Sequence, residues 1–70
     1  MFNADRLRIA RERRAMTKRI LAEKMRVSAR TVTGWEAGEY PPDPAKQQQL
    51  AEVLNFPPSF FELDDSAKVR

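Results

Sequence analysis

The 70-residue sequence contains no cysteine and no histidine. Those absences exclude a disulfide framework, thiolate or imidazole metal ligation, and the usual nucleophile–base pairs of covalent catalysis. No enzyme activity, no metal and no cofactor is expected. Long apolar runs are also missing, none approaching the roughly 18 residues that a membrane span requires, and the N-terminus lacks a signal-peptide core. The chain is therefore expected in the cytoplasm, with no membrane partner. A hydrophobic fraction of 41% in 8.1 kDa is enough for one small domain and no more. A chain this short buries only roughly 60% of its unfolded surface, so modest stability is expected.

The net charge of +3 conceals a strong asymmetry along the chain. Residues 1–30 carry ten Lys and Arg against three Asp and Glu, a net +7, whereas residues 31–70 carry three against seven, a net −4. The first half has the electrostatic footprint expected of a polyanion-binding surface, unless its cations only solvate helix faces.

Helical rather than alternating periodicity runs between the punctuating residues, and no strand is expected. A first helix, about 3–14, starts at Asn3 and turns Leu7, Ala10 and Arg11 to one side. A second starts after Thr17 and runs to about Lys24, with Ile20, Leu21 and Met25 apolar. Ser28 caps a third, in which Val32 and Trp35 face inward together and Gly38 ends the helix. Asp43-Pro44 opens a fourth helix, to about Leu54, and Asn55 is a left-handed stop. A short fifth helix spans about 58–63. Residues 1–63 are read as one domain, and 64–70 as a frayed tail or linker.

Two short helices separated by a three-residue turn, the second ending in an aromatic, have the spacing of a helix-turn-helix. Ala22 is small where the helices must approach, and Leu21, Val27, Val32 and Trp35 can seal the space between them. The run Met16-Thr17-Lys18-Arg19-Ile20-Leu21-Ala22-Glu23-Lys24, then Val27-Ser28, then Thr31-Val32-Thr33-Gly34-Trp35-Glu36-Ala37-Gly38 resembles the helix-turn-helix of the phage-repressor/Cro family, also called XRE-like. The resemblance covers about residues 3–63. It implies an all-α, compact five-helix fold and a transcriptional regulator, mostly repressors in this family, that binds double-stranded operator DNA as a homodimer.

Carried over residue by residue, the resemblance places Ser28, Ala29, Arg30, Thr31, Thr33 and Gly34 at the DNA major groove. Arg30 can donate twice to guanine O6 and N7, or meet a phosphate. Ala29 stands where relatives often have Gln and can touch at most a thymine methyl. Ser28 and Thr31 suit phosphate contact or simple capping. Lys18, at a position where relatives place a Gln, can meet a phosphate as a point charge, with Thr17, Arg19 and Arg14 near the same DNA strand. Gly34 either admits close backbone approach or weakens the helix. The resemblance further implies a partly buried Arg11–Glu36 salt bridge, and Arg26 in a left-handed conformation where relatives have Gly.

The aromatic tail has two readings, core closure and dimer interface. Phe56 and Phe60 are assigned to the core, and Phe61 and Leu63 are the dimer candidates. Asn55-Phe56-Pro57-Pro58-Ser59-Phe60-Phe61 also resembles the end of the DNA-binding arm in regulators fused to an ImmA/IrrE-type zinc peptidase, which would make a fused C-terminal domain the partner. An antitoxin that binds its own operator and a protein toxin is the other alternative.

Overall fold

The computed structural model describes residues 2–62. Within them the chain forms α1 (Ala4–Arg13), α2 (Lys18–Met25), α3 (Ala29–Ala37), α4 (Pro44–Leu54) and a closing 3-10 segment (Pro58–Glu62), with no strand among the described residues. The expected short fifth helix is a 3-10 stretch. Phe60 N–H donates to Pro57 C=O at 2.9 Å, three residues back. Two prolines at its start and only five residues leave no room for an α-helical ladder. The expected tail, residues 64–70, and Leu63 lie outside the described residues.

Each α-helix starts on a side chain. Asn3, Thr17, Ser28 and Asp43 are the N-caps, and each side-chain oxygen accepts from the backbone N–H three residues on. That bond satisfies one of the amides a helix start leaves without a partner. A left-handed residue lies at or just past the C-cap of each α-helix: Ala15 (φ 56°) after the Arg14 cap of α1, then Arg26 (φ 60°), Gly38 (φ 77°) and Asn55 (φ 57°) at the caps of the others. Around these residues the N–H groups of Met16, Val27, Glu39 and Phe56 reach back five residues, to the carbonyls of Arg11, Ala22, Gly34 and Ala51. This is the Schellman arrangement, which uses carbonyls the helix end would otherwise leave open.

The core gathers Leu7 and Ala10 of α1, Leu21, Ala22 and Met25 of α2, Val32 and Trp35 of α3, Leu50, Ala51 and Leu54 of α4, and Phe61. The aromatic tail departs from the sequence expectation at Phe61. Phe61, expected as a dimer contact, is 1% exposed. Its ring stacks on Phe2 at 5.8 Å and meets Phe60 edge-on at 5.4 Å. Phe56 and Phe60, expected inside, are only partly buried against the core. They pack on each other at 4.5 Å and carry the guanidinium groups of Arg14 and Arg6 over their faces, at 4.5 and 4.7 Å. Phe61 is thus the ring that enters the core, while Phe60 stays at its edge beneath Arg6 of α1. Asn3 N–H closes the seam by donating to Phe61 C=O at 2.7 Å.

Candidate nucleic-acid interface

The turn from α2 to α3 is fixed by Arg26 in the left-handed conformation and by Val27 N–H donating to Ala22 C=O at 3.0 Å. Ala22 is 3% exposed at the approach of the two helices. A larger side chain there would force them apart. With Val32 and Trp35 turned into the core, helical spacing puts Arg30, Thr33, Gly34 and Ala37 on the opposite, outer face of α3.

The candidate DNA contacts fall into three groups. Arg30, Ala29, Thr33 and Lys18 are exposed. Neither Arg30 nor Lys18 has a hydrogen-bond or ion-pair partner among the described residues, so both cations face solvent uncommitted. Arg19 is exposed but reaches Glu23 at 3.7 Å, an i,i+4 pair that weakens its field.

The hydroxyl group is occupied by capping. Thr17 Oγ1 accepts from Ile20 N–H at 3.1 Å. Ser28 Oγ accepts from Thr31 N–H at 3.1 Å and shares a hydrogen bond with Thr31 Oγ1 at 2.9 Å. Only one of the two hydroxyl protons is used between Ser28 and Thr31. The other remains available to donate outward from the start of α3.

Gly34 forms a group of its own. Although it lies on the outer face of α3, it is buried. The Tyr40 side chain returns from the loop after the helix and lies against it, so that a Cβ at Gly34 would overlap Tyr40 Cζ and Oη. The backbone at this position is therefore covered by the Tyr40 ring. The glycine is required by the tyrosine ring. A sequence reading could not find this, because the contact depends on the turn at Gly38 bringing the loop back.

Two further arginines are structural. Arg11 donates from Nε to Glu36 Oε2 at 2.7 Å, from Nη2 to Glu36 Oε1 at 3.1 Å and from Nη1 to Met16 C=O at 2.8 Å. The side chains are 11% and 4% exposed, so α1 is clamped to the end of α3 by a buried fork. The hydrogen bond that Arg11 donates to Glu36, and the negative charge of Glu36, hold the Arg11 pKa above its ordinary value. Arg14, expected near the DNA backbone, is instead committed to α4. Its Nε donates to Leu54 C=O at 2.6 Å and its Nη2 to Asn55 C=O at 3.0 Å, while the guanidinium covers Phe56. A cation at the end of a helix is favourable there because the terminal carbonyls are electron-rich and lack partners.

A family model described as a helix-turn-helix domain matches residues 4–60. The chain belongs to the helix-turn-helix domain family. Membership implies DNA binding, and the match begins at the first residue of α1 and ends inside the closing segment, so it spans all four α-helices described above. A search among curated proteins returns no match. No helix among the described residues is long and apolar enough to cross a membrane, and no cluster of three acidic or other metal-ligating side chains exists among them.

Proposed function

We propose that this helix-turn-helix domain is a sequence-specific transcriptional regulator, a repressor, that lays α3 in the major groove of double-stranded DNA. The observation behind this reading is the outward, uncommitted presentation of Arg30 in the first turn of α3, on a helix whose other side is locked to α2 by Val32 and Trp35. In this reading the planar fork of Arg30 reads a base pair, Thr33 and Ala29 make short-range contacts, and Lys18 meets a phosphate. The free proton of the Ser28–Thr31 hydroxyl pair donates to a phosphate oxygen. The chain acts as a homodimer on a two-fold site with half-sites roughly 34 Å apart. With Phe61 in the core, that interface is built from other surface residues.

The test is selection of bound duplexes from a random pool at two salt concentrations, followed by variants. Arg30→Ala is expected to relax the preference at one base pair, at a cost of about 1–3 kcal/mol on the selected duplex. Lys18→Ala is expected to weaken binding to all duplexes alike. No enrichment over random DNA would count against sequence-specific recognition, and the opposite pattern between the two variants would overturn their roles.

A further inference from the structure

The buried glycine on the outer face of α3 carries an inference that rests on the proposed DNA-binding reading. Helical spacing puts Gly34 on the side of α3 that presents Arg30, four residues earlier, and Ala37, three residues later. Glycine there offers DNA no side chain. It is buried all the same, because the Tyr40 phenol fills the place where its side chain would stand, with Cζ and Oη nearest and Cε2 2.9 Å from the position of a Cβ. Tyr40 nevertheless stays 44% exposed. Its hydroxyl has no hydrogen-bond partner among the described residues. The seat is tightly defined. Glu39 N–H donates to the Gly34 C=O itself at 3.0 Å, so the turn that delivers Tyr40 is fastened to the residue on which the ring rests.

We infer that Tyr40 supplies the DNA-facing group at the position Gly34 leaves vacant, as an additional contact residue of the α3 surface. A phenol suits the task. It presents one O–H that both donates and accepts, on a rigid ring with little rotamer freedom to lose. Its hydroxyl meets an acceptor on the duplex, a base edge or a phosphate oxygen, next to the base pair read by Arg30. Glycine at 34 is then a requirement of the interface. Any Cβ would push the ring off the helix, although alanine would favour the helix itself.

The experiment uses the full chain and duplexes that the unmodified chain selects from a random pool, with random-sequence duplex in parallel. Tyr40→Phe keeps the ring on Gly34 and deletes only the hydroxyl. It is expected to lower affinity for the selected duplex roughly twofold to tenfold, the range for one hydrogen bond. Loss on the selected duplex alone supports a base-edge contact, and equal loss on both duplexes supports a phosphate contact. Gly34→Ala leaves the phenol in the protein but displaces it, and should reduce affinity at least as much while the helical circular dichroism is retained. Were Tyr40→Phe to bind both duplexes as the unmodified chain does, the inference about Tyr40 would be overturned and the proposed function would stand. Failure of the unmodified chain to select any duplex would overturn both.

Discussion

Arg11 is the only charged residue in the buried set among those described. Each of its donating nitrogens has an oxygen: two belong to Glu36 and one is the Met16 carbonyl. Such a pair contributes little when compared with two apolar side chains, but breaking it leaves a largely buried charge without its partner. Glu36→Ala is expected to cost about 3–5 kcal/mol. For 70 residues the whole folding free energy is roughly 4–10 kcal/mol, so this one change should remove a large part of it. Urea unfolding of the variant checks this: a midpoint shifted by less than about 1 kcal/mol equivalent would show that the fork is dispensable. The pair also has a defined pH behaviour. Because Glu36 raises the Arg11 pKa, the stability contributed by the Arg11 charge is fully present at neutral and mildly alkaline pH, below the ordinary arginine value. It is lost only as pH rises through the still higher folded value. Mild alkaline conditions should leave this contribution untouched.

The helices are bounded by four side-chain caps and four left-handed stops, but only one stop is glycine. Left-handed backbone strains an L-residue with a Cβ by roughly 1–2 kcal/mol, less for Asn, and glycine escapes that strain at some cost in unfolded-state entropy. Ala15→Gly and Arg26→Gly are each expected to stabilise the domain by about 0.5–1 kcal/mol, and Gly38→Ala to destabilise it by about 1 kcal/mol. The check is the denaturation midpoint at unchanged slope; a destabilising Ala15→Gly would mean that the left-handed residue is not strained. The same elements explain what could be read from the sequence. Asn3, Thr17, Ser28 and Asp43 announce helix starts because their short oxygens are rarely useful elsewhere in a helix, and Gly38 and Asn55 announce stops. Ala15 does not, since alanine is the best helix former; in the fold the Met16 carbonyl just beyond it accepts from Arg11. Of the candidate DNA contacts, Ser28, Arg30 and Lys18 come from the family resemblance, with the caps at Thr17 and Ser28 fixing where α2 and α3 begin, whereas the Tyr40 seat on Gly34 and the Arg14 clamp on α4 need the folded path of the chain.

Across the whole molecule, the +7 of residues 1–30 is not all available to a polyanion. Arg11 is neutralised inside, Arg14 is tied to the end of α4, and Arg8 and Arg19 sit beside Glu12 and Glu23. Arg13, Lys18, Lys24, Arg26 and Arg30 are exposed without hydrogen-bond or ion-pair partners among the described residues. A small set of free cations implies a modest salt dependence, because log Kobs falls with log salt by about 0.9 for each phosphate neutralised. If only these five meet phosphates, a protomer cannot exceed a slope of about 4.5. Under the proposed two-fold arrangement, two docked domains would double the contacts on one duplex. Geometry then supplies the discriminating measurement. Two recognition helices one turn of DNA apart face the same side of the duplex, and inserting five base pairs between half-sites rotates one away by about half a turn. Affinity for the selected duplex should fall to that of an isolated half-site on that insertion and recover when ten base pairs are inserted only if the dimer can stretch. A selected site that tolerates the five-pair insertion without loss would show that the domain reads DNA as a monomer.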